Sequence, residues 1–283
     1  MGPVQVPLRR HTRHARLPGA LRWSACALAL ATAGAQAQSK TAPEQVGVPV
    51  RYSQGTVHGF IQLRSDQDSL LAEGDLLQVA GDSTIESRMV LRFADKSYFE
   101  EATTFTQHKV FRMVAYHLVQ RGPAFDPQLD AVLSRDGQYA VVSRQGQKED
   151  RDAGQLELPE DVSNGLPVVL AMNLHRGDTA DVHLVAFTPK PRLIGLRIAF
   201  AGMDTVTIGG HAEPTAHFVL SPQLGALTGF FAKLLGKLPS DGHVWIDLDR
   251  VPGFVGYEGP LFMGPVWRLR LSTPVWSGKS LKP

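Results

Sequence analysis

The chain has 283 residues, with 29 Lys plus Arg against 27 Asp plus Glu. Residues 1–37 hold Arg9, Arg10, Arg13, Arg16 and Arg22 and no acidic residue, so the remainder carries 24 basic and 27 acidic groups, a formal charge of −3. The basic surplus therefore belongs to the leader, which excludes a general nucleic-acid binder, and the 246 residues that follow are enough for one substantial core.

The leader has three parts: the arginine-rich start, the apolar run Trp23-Ser24-Ala25-Cys26-Ala27-Leu28-Ala29-Leu30, and the small-residue site Ala35-Gln36-Ala37. That order is the pattern of an export signal cleaved after Ala37, and the run is too short for a permanent membrane helix. Arg9-Arg10 stand well upstream of the run, and His11-Thr12-Arg13 does not resemble the residues that follow a twin-arginine pair, which disfavours that export route. Cys26 is the single cysteine, so the mature product is expected to have no disulfide and no thiolate site. No later stretch is apolar for the ~18 residues a spanning helix needs. The expectation is an exported product, periplasmic or extracellular, with no integral membrane segment.

Residues 38–54, polar and with Pro43 and Pro49, read as a flexible lead-in to a single β-rich domain over 55–274, with a tail at 275–283. Val57, Gly59, Ile61 and Leu63 alternate with polar neighbours, which predicts a strand with one buried face. Strands follow at Leu70 to Val79, Thr84 to Phe93 and Tyr98 to Thr106, the second with Met89, Leu91 and Phe93 opposite Arg88 and Arg92. Short returns between them favour an antiparallel meander. Phe111 to Gln120 fits helix or strand, its neighbours favour strand, and Gly122-Pro123 ends it. A hairpin over Leu129 to Leu133 and Tyr139 to Val142 turns at Arg135-Asp136-Gly137. The mixed-charge run 147–152 reads as a solvated turn. Asp161 to Asn173 reads as a short buried helix or plug.

Strands are expected again at Val182 to Phe187, Leu193 to Phe200, Thr205 to Ile208 and Ala216 to Leu220. Ser221-Pro222 has the residue types of a helix start, and Leu224, Leu227, Phe231, Leu234 and Leu235 give an apolar stripe, so a covering helix is predicted over 224–235. Three strands complete the tail: His243 to Leu248, Phe254 to Tyr257 and Val266 to Leu271. The fold class is thus mainly β, a large curved antiparallel sheet or incomplete β-barrel with one or two short helices. No fixed-length repeat suggests a propeller or solenoid.

Chemistry is less legible. The eight histidines beyond the leader are His58, His108, His117, His175, His183, His211, His217 and His243, and none has His-Glu-x-x-His spacing; Pro214 argues against one strand carrying both His211 and His217. No metal and no cofactor is expected. Asp247 and Asp249 fall on one strand face with His243 and Trp245, which is the least poor arrangement for sugar hydrolysis by a carboxylate pair. A solvated strand end is the simpler reading of those carboxylates. Glu258, in the corner Glu258-Gly259-Pro260, is expected to pair with a strand arginine such as Arg268. No Gly-x-Ser-x-Gly elbow or phosphate-binding glycine loop is present.

The stretches His243-Val-Trp-Ile-Asp247, Val251-Pro-Gly-Phe-Val255, Tyr257-Glu-Gly-Pro-Leu261, Gly264-Pro-Val-Trp-Arg-Leu269 and Tyr116-His-Leu-Val-Gln-Arg-Gly-Pro-Ala-Phe125 resemble a group of secreted bacterial proteins of unknown function. Phe93-Ala-Asp-Lys-Ser97, Phe105-Thr-Gln107 and Pro189-Lys-Pro-Arg-Leu193 look like the same group. The layout is also similar to periplasmic domains built as an incomplete antiparallel barrel. Such a shape can enclose a lipid or other hydrophobic small molecule, with Phe60, Met89, Phe93, Phe111, Met113, Phe231, Trp245 and Trp267 as candidate wall residues. Three expectations follow: reversible carriage of that ligand, a structural or envelope-associated role with the concavity filled, or carbohydrate hydrolysis at Asp247 and Asp249. Assembly state is not legible in the sequence.

Overall fold

Period-two patterning dominates the computed structural model, which describes residues 46–188, 190–208, 211–225, 240–248, 251–260 and 266–272. The expected signal peptide, the tail, and most of the expected helix over 224–235 lie outside the described residues. Five meandering strands open the fold: β1 (Val57–Arg64), β2 (Leu70–Ala80), β3 (Ile85–Phe93), β4 (Tyr98–Gln107) and β5 (Phe111–Arg121). The strand reading of Phe111 to Gln120 therefore holds. The hairpin of β6 (Gln128–Ser134) and β7 (Gln138–Gln145) turns where expected, and β8 (Lys148–Gln155) follows.

Two further groups complete the chain. Helix α1 (Pro167–Ala171) is a single short turn within the plug. Then come β9 (Thr179–Thr188), β10 (Lys190–Ile208), β11 (His211–Gln223), β12 (Gly242–Asp247), β13 (Gly253–Gly259) and β14 (Trp267–Ser272). All pair antiparallel in one sheet of order β8-β7-β6-β5-β4-β3-β2-β1-β14-β13-β12-β11-β10-β9. The sheet is mainly β and does not close into a barrel, as the fold reading expected. Among the described residues no helix is long and apolar enough to cross a membrane.

Several expectations are corrected. The charged run is the body of edge strand β8, exposed almost throughout; charges on both faces suppress the apolar alternation and also discourage edge-to-edge pairing. The expected strands at 193–200 and 205–208 are one strand, β10, whose register shifts between Phe200 and Gly202, so a bulge resets the alternation midway. Ser221 and Pro222 do not start a helix; they remain in β11 opposite Arg197 and Leu196. Since β12 pairs β11 only from Ala216 to Leu220, Pro222 has a strand on one side alone among the described residues, the position where proline's missing N–H is tolerated. Pro214 also lies within β11, opposite Thr205.

Inward positions alternate: Ile61 and Leu63 of β1, Leu91 of β3, Phe99 and Phe105 of β4, Ile198 of β10, Phe218 of β11 and Val244 and Ile246 of β12 are all buried. Each such large side chain contributes about 1.5–3 kcal/mol relative to exposure. The curl is shown by a contact that skips most of the sheet. Tyr116 of β5 stacks on Phe187 of β9, ring centroids 6.1 Å apart, although nine strands separate β5 from β9 in the sheet order.

The plug docks on both β9 and β4. Ser163 N–H donates to the His183 carbonyl, and the Asn164 side chain meets both backbone groups of Val185 at 2.8 Å, so β9 gains a partial extra strand. Gly165 sits at φ +71°, where a side chain is strained, and an added Cβ would lie 1.9 Å from the Thr103 hydroxyl; glycine lets the plug dock this closely. Residues 46–54, expected as free lead-in, are instead tied down: Val48 is buried, and Asn173 accepts from the backbone N–H groups of Arg51 and Tyr52 at 2.9 and 2.8 Å.

Candidate functional site

Phe99 and Phe105 are buried, and the alternation of β4 carries Glu101 and Thr103 onto that same inner face. Glu100 turns outward, where Arg88 grips it at 2.6 Å. Glu101 stands opposite Met89 of β3 and Leu118 of β5, with Leu76 of β2 beyond Met89. A carboxylate thus occupies the middle of an otherwise apolar row on the concave face. Leu76, Met89 and Glu101 each keep part of their surface accessible, which mid-sheet inner residues of a solidly filled barrel would not.

Tyr116, two residues along β5 from Leu118, donates its hydroxyl to Glu101 Oε1 at 2.8 Å. Burial holds the Glu101 carboxyl above the usual glutamate range, and the tyrosine bond offsets this in part. Its residual solvent contact does not cancel the effect, because desolvation reflects the protein packed around the group over several ångströms. Tyr116 is itself pushed well above a normal phenol, first by burial and then by the Glu101 charge. Tyr257 on β13, across the concavity, is raised by burial and feels the same charge; its hydroxyl donates to the Pro260 carbonyl at 2.7 Å. Among the described residues Glu101 has no cationic partner within ion-pair distance. The cluster can exchange hydrogen bonds with a polar group brought to it, and a carboxyl of raised proton affinity can also donate.

The expected wall residues divide three ways. Met89, Phe93 and Trp267 lie on the inner face and are half-buried; Phe93 packs edge-on against Phe125 at 5.5 Å and tilted against Trp267 at 6.0 Å. Phe111 and Met113 are fully enclosed core. Phe60 and Trp245 do not line the concavity: Ile61 and Leu63 take the inner positions of β1 and Val244 and Ile246 those of β12, so the two aromatics face outward. Phe60 is 39% exposed. Phe231 lies outside the described residues.

His243, Trp245 and Asp247 do share a face, the outer one, while Asp249 lies outside the described residues. Glu258 and Arg268 form the expected pair at 3.0 Å. Glu101 was missed, although its signal was present: it shares parity with Phe99 and Phe105. Two surface recesses stand apart from this site. One, of about 350 Å³, is lined by Tyr52, Leu174, His175, Arg176 and Leu248; the other, of about 110 Å³, includes Arg121, Asp130, Arg144 and Arg151.

No family model matches the sequence, and no curated protein matches it. Among solved structures the chain is similar to a β-barrel-like protein of the domain of unknown function DUF1849 from Brucella abortus, at 12% identity, over 78% of this chain and 98% of that one, with a TM-score of 0.41.

Proposed function

We propose that this chain is an exported binding protein that holds an apolar molecule against the concave face of its sheet, with Glu101 and Tyr116 engaging that molecule's polar end. One observation carries the reading: a partly accessible carboxyl stands among Leu76, Met89 and Leu118 on the inner face without a cationic partner among the described residues. A carboxyl in apolar surroundings costs stability, and a bound donor group offsets that cost. The action is reversible binding with no bond made or broken. A hydrolase reading lacks comparable support at Glu101, because its neighbour Glu100 is directed to the other face and held by Arg88. A structural role has one observation in its favour, the continuous buried cluster that joins β1, β4, β5, the plug and β11.

The test is gentle isolation of the chain, extraction with organic solvent, and mass spectrometry for stoichiometric small molecules. One amphipathic compound per chain is expected, lost in Met89→Trp with the strand circular dichroism unchanged. A folded wild-type preparation that retains nothing and takes up no fluorescent fatty-acyl probe leaves the structural role standing and ends the binding proposal.

A further inference from the structure

On the outer face, far along the sheet from β4, strands β11 and β12 build a second polar cluster. Ala216 opposes Ile246, and both are fully buried, so His217, His243 and Trp245 turn outward. His217 lies opposite Trp245, its ring parallel to the indole within 7° at a centroid distance of 5.0 Å. The indole N–H in turn donates to Asp204 Oδ2 at 3.0 Å, which fixes the stack. His243 is diagonal to His217, and its Nδ1 shares a hydrogen bond with His217 Nε2 at 3.0 Å, one ring carrying the proton between them. Two imidazole nitrogens therefore converge from two strands, one ring held by an aromatic neighbour, and both histidines retain some accessible surface.

That separation matches a chelate. Two adjacent ligands on a square-planar ion with bonds of about 2.0 Å stand about 2.8 Å apart, and on a tetrahedral ion about 3.3 Å. We propose that His217 Nε2 and His243 Nδ1 together bind one divalent first-row transition ion, Cu²⁺ most tightly. Imidazole suits such ions, the spacing lies nearer the square-planar value, and Cu²⁺ heads the general affinity order. Both facing nitrogens must present lone pairs. The ring that carries the shared proton reaches that state by moving it to its other nitrogen, so no net proton is lost. Among the described residues no third His, Cys, Asp or Glu completes a cluster, so water fills the remaining positions and the site is open to an external ligand. This site is independent of the concave one.

The test titrates Cu²⁺ into untagged protein and reads electron paramagnetic resonance and tryptophan fluorescence. One equivalent is expected to show coupling to two nitrogens and to quench Trp245, whose ring is 5.0 Å from that of His217. His217→Asn and His243→Asn should each weaken binding at least about tenfold, and His58→Asn should leave it unchanged. Undiminished affinity in the folded double variant overturns the proposal, because the ion then sits elsewhere. Should the variants misfold, the wild-type spectrum alone decides: coupling to one nitrogen or none overturns it equally.

Discussion

Glu101 is placed by arithmetic as simple as odd and even, and its cost follows from that placement. The folded chain holds the Glu101 proton to a higher pH than an unfolded chain does, because burial raises its proton affinity. Above the ordinary glutamate range the folded state therefore binds more protons than the unfolded state, and this group's contribution to stability declines as pH rises through that window. Paired carboxylates act with the opposite sign: Glu100 is lowered chiefly by the bond from Arg88, and Asp178 chiefly by the bond from Arg51, so they stabilise above the ordinary carboxylate range and lose that on acidification. Comparing the wild type with Glu101→Gln cancels these shared terms. The amide still accepts from Tyr116 and cannot ionise. Its urea midpoint should exceed that of the wild type at about pH 7.5 and converge with it near pH 4. An equal displacement at both pH values would show that the carboxyl's charge is not the cause.

Elements were legible where one face is wet and one dry. Strands β1 to β7 and β12 to β14 lie close to their expected positions, because Ile61, Leu63, Leu91 and Phe99 repeat at period two against polar neighbours. The same rule fails at β8, where both faces are wet, and along β10, where the shift at Gly202 changes the parity. It is also silent on partners distant in sequence. Nothing local announces that His217 will meet His243, since that contact depends on the β11–β12 register, nor that Asn164 will pair with Val185. Asn164 nevertheless completes an element. Its amide replaces a neighbouring strand for both backbone groups of Val185, at 2.8 Å each and out of contact with solvent. Asn164→Ala leaves a buried donor and a buried acceptor unpaired, which should cost about 2–4 kcal/mol in urea unfolding. A loss under about 1 kcal/mol would mean that water or a relaxed backbone takes the amide's place.

At the scale of the molecule, the chain makes two meanders and joins them end to end. Strands β1–β8 form one and β9–β14 the other, and among the described residues the only ladder between them runs from β1 to β14. That seam pairs Leu63 with Leu269 and Ile61 with Leu271, uniting in mid-sheet the strands that come first and last in chain order among the described residues. The plug adds a second connection, since Asn164 binds β9 while Thr103 of β4 donates to its carbonyl at 3.4 Å. Neither meander buries its concave face alone: the inner side of β5 needs Phe187 of β9, and Phe93 of β3 needs Trp267 of β14. Interdependence of this kind makes one cooperative transition the expectation. Leu63, fully buried at the seam, tests it. Leu63→Ala should cost about 2–5 kcal/mol, and hydrogen exchange in denaturant should show peptides of β4–β5 and of β10–β11 losing protection at one shared, lowered midpoint. If β10–β11 kept the wild-type midpoint while β4–β5 shifted, the halves would be separate folding units, and a concavity lined by both would lose its physical basis.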